Sequence, residues 1–187
     1  PPHHATLLRL RSRSPTRVVR LRTHHPSTDL PPRSIQSAKD PDPEALDYLL
    51  VAAARDGDLA RVTALIKRGA DCDAVHALGD PEGAERSALY WAACGGHLTT
   101  FRLLKSKGAD LDAAADNGIT PFIVACGGGS IQIVRELKGA GVDLDTTDEG
   151  FKAVHIAAQN GHLDVLRALR GWNVDLNATD NDGANAV

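Results

Sequence analysis

Residues 152–162 read KAVHIAAQNGH, with two histidines seven residues apart and Gln159 and Asn160 between them. Imidazoles at that spacing could ligate a metal or pass a proton, and the neighbouring amides could orient a substrate. Little else in the chain supports such chemistry. Cys72, Cys94 and Cys126 are widely spaced, with no Cys-x-x-Cys pair and no Cys/His cluster at zinc spacing. Buried thiols in a reducing compartment are the simpler expectation. Gly127-Gly128-Gly129 hints at a phosphate loop, but no GxxxxGKS/T accompanies it. The pairs His3–His4 and His24–His25 are read as bystanders. No carboxylate pair or nucleophile elbow stands out. The chain is therefore expected to be no enzyme and to carry no cofactor or metal.

The elements that must position the two histidines come from a repeat. HLDVLRAL at 162–169 matches SIQIVREL at 130–137, then HLTTFRLL at 97–104, then DLARVTAL at 58–65, at successive shifts of 32, 33 and 39 residues. Upstream of each lies an Ala-rich piece: LLVAAARDG, ALYWAACGG, PFIVACGGG and AVHIAAQNG. Downstream lie GADCD, GADLD, GVDLD and NVDLN. Within the second piece, Leu59, Val62 and Leu65 fall on one helical stripe, as do Leu98, Phe101 and Leu104, Ile131, Val134 and Leu137, and Leu163, Leu166 and Leu169. The small pairs Ala53–Ala54, Ala92–Ala93, Ala125–Cys126 and Ala157–Ala158 keep a preceding short helix thin, so a neighbour can come close. Each unit is thus a helix–turn–helix followed by a turn.

Thr120-Pro121 supplies an N-cap hydroxyl followed by a proline at the first helical position, and Ser87 can cap in the same way. Gly69, Gly108 and Gly141 fall just past the second helix, where a left-handed residue is wanted, and Asn173 takes that place in the fourth unit.

On these residues the chain resembles the ankyrin repeat family. SALYWAACGGHLTTFRLLKSKGADLD, TPFIVACGGGSIQIVRELKGAGVDLD and KAVHIAAQNGHLDVLRALRGWNVDLN follow that family's TPLHxAAxxGHxxxVxxLLxxGAxxN pattern, and the likeness covers about residues 46–187. The TPLH histidine survives only as His155, with Tyr90 and Ile123 in its place elsewhere, and Lys152 replaces the capping threonine. The loop AVHALGDPEGAER is about six residues longer than its later counterparts. The resemblance implies an all-α ankyrin solenoid of helix–turn–helix repeats with hairpin loops. It places repeats at 46–73, 87–112, 113–145 and 146–177, and the start of a fifth at 178–187, in a domain spanning 44–187. It also gives His155 and His162 structural roles. The unfinished fifth unit leads us to expect a piece of a longer array.

In this family the groove formed by hairpin tips and first helices recognises proteins. Residues at the variable positions are Arg86, Cys94, Gly95, Asp116, Asn117, Ile119, Asp148, Glu149, Phe151, Gln159 and Asn160. Of these, Arg86, Asp116, Asn117, Ile119, Asp148, Glu149, Phe151, Gln159 and Asn160 are taken as the partner surface, with Phe151 as its anchor. Asp116, Asp148, Asp180 and Asp182 would make the tips acidic, a mild preference for a basic partner, although aspartate is an ordinary turn former. Trp172, unexpected where it lies, could instead cover the base of the second helix.

The first forty residues differ in kind. They carry 8 Lys/Arg against 2 Asp/Glu, a formal charge of +6, whereas residues 41–187 sum to −9. Eight of the ten prolines lie within residues 1–43. A disordered Arg/Pro-rich tail is expected over 1–40, with an organelle-targeting leader and a nucleic-acid-binding arm as competing readings. The chain contains no methionine, so its native start is expected to be missing or misassigned. No stretch reaches the roughly 18 apolar residues of a membrane span. The expectation is a non-catalytic, intracellular, cytoplasmic and monomeric module that binds an unknown protein, with no membrane and no nucleic acid as partner. The alternative is the regulatory or targeting segment of a larger enzyme or channel.

Overall fold

The computed structural model describes residues 7–9, 18–20, 42–78, 84–115, 118–144, 147–148 and 151–177. Three of its helices start where a side chain serves the exposed backbone N–H groups. Ser87 Oγ accepts from Tyr90 N at 3.1 Å and opens α3 (Ala88–Cys94). Thr120 Oγ1 accepts from Ile123 N at 3.3 Å and opens α5 (Pro121–Gly127), with Pro121 in its first turn. Asp58 caps α2 (Leu59–Lys67) through Arg61 N. At the far ends, Gly69, Gly108 and Gly141 have φ of 95°, 91° and 85°, and Asn173 follows at 63°. One left-handed column thus ends all four second helices.

These helices pair as α1 (Pro43–Asp56) with α2, α3 with α4 (Leu98–Ser106), α5 with α6 (Ile131–Ala140), and α7 (Ala153–Gln159) with α8 (Leu163–Gly171). The pairs stack in two layers. The first helices α1, α3, α5 and α7 touch one another in succession, and so do the second helices α2, α4, α6 and α8. Short antiparallel ribbons join some units: β3 (Val75–His76) pairs with β4 (Arg86–Ser87), and β5 (Thr147–Asp148) with β6 (Phe151–Lys152). The chain is the helical repeat solenoid its sequence foretold. Of the N-terminal tail, β1 (Leu7–Arg9) and β2 (Val18–Arg20) form a further antiparallel ribbon; the rest of residues 1–40, and the expected fifth unit at 178–187, lie outside the described residues.

The core runs continuously through both layers. Ala53, Ala54, Ala92, Ala93, Ala125, Cys126 and Ala157 are all fully buried, which is what lets the first helices approach each other. The three-residue stripe of the second helices is buried only in part. Leu59 is 39% exposed and Leu163 61% exposed, although both belong to the expected apolar stripe. The cause is geometric. Residues three apart on a helix of 3.6 residues per turn retreat by roughly 60° at each step, so the first member swings off the face set by the other two. The buried face extends instead at its opposite edge, two positions after the stripe begins, to Thr100, Ile133 and Val165, all buried, whereas Arg61 of α2 in that column is exposed.

Thr100 is the odd member of that column. It is fully buried and its hydroxyl has no hydrogen-bond partner among the described residues. An orphaned buried hydroxyl costs about 1–3 kcal/mol, and valine has the same shape without it. Thr100→Val is therefore expected to stabilise the array by about 1 kcal/mol, read as a higher urea midpoint at unchanged slope; a lower midpoint would contradict this account. A second weak point is the start of α7. Lys152 stands where Ser87 and Thr120 stand in the earlier units, and its ammonium cannot accept from a backbone N–H. Lys152→Thr is expected to add about 1 kcal/mol, measurable as slower amide exchange in the first turn of α7.

Aspartates knit the turn edge. Asp71 N donates to Asp47 Oδ1 at 2.7 Å, Asp73 N to Asp71 at 2.9 Å, Asp110 N to Asp73 at 2.7 Å, and Asp112 N to Asp110 at 2.9 Å. Asp71 and Asp110 thus hold the residue two further on, Asp47 holds the turn of its own repeat, and Asp73 holds the next repeat. Asn177 N on Asp175 at 2.9 Å repeats the local step in the fourth unit.

Candidate partner-binding surface

The histidines that look like chemistry are held as structural groups. His155 is 5% exposed, and its Nδ1 accepts from Lys152 N at 3.1 Å across the first turn of α7. His162 donates Nε2–H to the Gly127 carbonyl at 2.9 Å, and Asn160 donates Nδ2–H to the same oxygen at 2.8 Å. His97 does the equivalent two joints earlier, donating to the Arg55 carbonyl at 3.0 Å. Each of these latter rings ties the turn of one repeat to the end of the previous first helix. Among the described residues no group of three or more His, Cys, Asp or Glu side chains is placed to hold a metal ion. All three cysteines are free thiols. Burial pushes Cys94 up to about 11, a rise partly opposed by Arg86, and burial also raises Cys126. Neither supplies a thiolate near neutral pH.

The variable positions divide by burial. Gln159 ends α7 and is exposed; Asn160 follows it, half-buried, with its amide committed to Gly127. Asp148 and Phe151 are register partners in the β5–β6 ribbon, at the opposite end of α7 from Gln159. That separation is about 10 Å, the length of a seven-residue helix. Asp116, Asn117 and Glu149 lie outside the described residues. Two expected surface residues are instead interior. Ile119 is 1% exposed and belongs to the hydrophobic core, where an apolar β-branched side chain gains most. Arg86 is 5% exposed, with its guanidinium carbon 5.5 Å from the ring centres of both Tyr90 and Trp91. Cation–π contact of this kind suits an arginine that has lost its water.

That cluster points to a residue the sequence pattern did not single out. Trp91 lies on α3, half-buried, edge-on to Tyr90 with ring centres 5.8 Å apart. Its column along the first helices otherwise holds Ala52, Val124 and Ile156. The signal was present as an aromatic among aliphatics, but the repeat pattern allows any residue there. Among the described residues, no helix is long and apolar enough to cross a membrane.

Comparison with known proteins agrees with the geometry. A family model for ankyrin repeats in three copies matches residues 101–180, and a single-repeat ankyrin model matches 85–116, so that together they span just over half of the chain. The chain is 34% identical over 104 residues to protein phosphatase 1 regulatory subunit 27 of Mus musculus, covering 55% of this chain and 64% of that protein. It is 36% identical over 101 residues to the ankyrin repeat and KH domain-containing protein mask-1 of Caenorhabditis elegans, covering 54% of this chain but 4% of that protein. Against the 2-5A-dependent ribonuclease of Mus musculus it is 38% identical over 79 residues, 42% of this chain and 10% of that enzyme. In each case the match spans less than two thirds of the relative. Repeat register, helix pairing, turn chemistry and family match converge: the chain belongs to the ankyrin repeat family.

Proposed function

We propose that this chain is a non-catalytic protein-interaction module whose first-helix surface and hairpin tips receive a partner protein. The observation that carries the reading is the layered stack itself. It sets the first helices side by side and leaves exposed or half-exposed side chains on α1, α3 and α7, with α5 wholly buried between them, while His97 and His162 are spent on latches between repeats. Stacked repeats use such extended surfaces for recognition, and one similar protein is named as a phosphatase regulatory subunit. Trp91 and Gln159 are proposed contacts on the helices, with Asp148 and Phe151 on the β5–β6 ribbon; Asp116, Asn117 and Glu149 are proposed with them from their positions in the repeat pattern alone. The module is proposed to act as a monomer in a reducing, intracellular compartment, where its three thiols stay free.

The test is affinity capture with the full chain, comparing Trp91→Ala and Phe151→Ala with Arg135→Ala and Arg167→Ala on exposed sides of the second helices. A partner contacting an aromatic anchor is expected to lose about 30-fold in affinity in the first pair, or about 2 kcal/mol, and to be kept by the second. Equal retention by all four variants would remove the groove from the reading.

A second reading is favoured by the small shares of the larger relatives, 4% and 10%, that the chain matches. In it the repeats are the regulatory or targeting segment of a larger enzyme or channel. The full-length transcript separates the two: a catalytic or membrane domain on the same polypeptide selects the second.

A further inference from the structure

The joints between repeats are not built alike. At the first joint the His97 ring lies over Gly57, so close that a Cβ there would stand 2.5 Å from Nδ1. At the third, His162 lies over Gly129 in the same way, again 2.5 Å from where a Cβ would be. Both glycines are left-handed, at φ 72° and 67°. The middle joint has the same seat, because Gly96 is left-handed at 68°. Its occupant is missing, however. Ser130 takes the histidine column, with its Oγ 2.9 Å from the place of a Gly96 Cβ. The Cys94 carbonyl, counterpart of those on Arg55 and Gly127, receives no side-chain hydrogen bond among the described residues. A cleft of about 160 Å³ lined by Gly96, Leu98, Ser130 and Ile131 lies beside the unfilled seat.

What crosses this joint instead is ionic and lies in the outer layer. Arg102 donates through Nε and a terminal nitrogen to Glu136 Oε1 at 2.9 and 2.8 Å, and Lys105 reaches Oε2 at 3.1 Å. These bonds hold the Glu136 carboxyl below its ordinary range, with the Arg102 contact the largest cause. Arg102 is 57% exposed along its side chain, so the link is open to screening by salt. Two halves are therefore latched internally, whereas the boundary between them relies on apolar contact and a screened ion network.

We propose that the boundary between the second and third repeats is the compliant joint of the array, where the two halves part first and whose stiffness follows ionic strength. On the proposed function, Trp91 on α3 lies on one side of this joint and Gln159 on α7 on the other, so flexure there changes the spacing of the interaction surface.

The chain carries its own reporters, Trp91 in the second repeat and Trp172 at the end of α8 in the fourth. Trp91→Phe leaves one signal and Trp172→Phe the other, each followed by fluorescence during urea unfolding of the full chain. At about 0.5 M sodium chloride, where screening is strong, the two midpoints are expected to differ by about 0.5 M urea or more. Glu136→Gln should produce the same separation at low salt. Ser130→His should close it, by filling the Gly96 seat and donating to the Cys94 carbonyl. Coincident midpoints at high salt and in Glu136→Gln overturn the proposal, as does a separation that Ser130→His leaves unchanged. Should either tryptophan variant fail to fold, hydrogen exchange on the unsubstituted chain decides. Two protection levels, divided between α4 and α5, support the joint, and one common level overturns it.

Discussion

Replacing Phe101 by alanine is expected to cost about 3–5 kcal/mol, the range for truncating a fully buried aromatic. The ring sits on α4 at 0% exposure, in a core that it shares with Leu89, Leu104 and Val134. Aromatics make up only 4% of the chain, so few other side chains could close the void. Small domains have a total stability of about 5–15 kcal/mol, which makes this loss a large fraction of the whole. The urea midpoint should fall by about 1 M or more, given slopes of about 1–3 kcal/mol per molar urea. A loss below about 1 kcal/mol would show that the site collapses around the gap. Because each repeat gains its stability from its neighbours, helical signal should disappear beyond α4 as well.

Gly129→Ala is the second large effect. The left-handed backbone alone penalises an L-residue by roughly 1–2 kcal/mol. The new methyl would also meet the His162 ring, 2.5 Å from Nδ1, and displace it from the Gly127 carbonyl. Losing that hydrogen bond adds about 1 kcal/mol, for an expected total of about 2–3 kcal/mol. Gly139→Ala is the matched control. It lies within α6, with nothing within 4 Å of the added methyl, and should stabilise by about 0.5–1 kcal/mol. If chemical denaturation ranked the two substitutions equally, the seat described for His162 would have no energetic meaning.

What was legible in the sequence was local. A hydroxyl at Ser87 or Thr120 meets a backbone N–H three residues on, and a glycine or asparagine after a helix takes a left-handed turn; neither needs a distant neighbour. Repetition at near-constant spacing then fixed the pairing of helices without any contact being known. The losses came where a side chain's fate depends on another repeat. Ile119 and Arg86 sit at positions that vary in the family pattern, yet one fills the core and the other lies over two rings. Thr100 fell outside a three-residue stripe because the stripe drifts around the helix while the core does not. Glu136 and Arg102 are 34 residues apart, with no local pattern to join them. The interaction surface was the least legible, since recognition is written in whatever the fold leaves over.

The aspartate ladder carries a consequence of another kind. Asp73 holds the backbone of Asp110, one unit further on, whereas Asp47 on α1 holds Asp71 within its own unit. A bond of this sort is specified on both sides by a single copied motif: the donor is main chain and the acceptor is the shared carboxylate. A gene that duplicates one unit in tandem thus delivers a new copy with its docking contact already encoded, and no second mutation is required to make the copies fit. Growth by copying and divergence by surface drift can then proceed separately, the ladder preserving the frame while the first-helix side chains explore new partners.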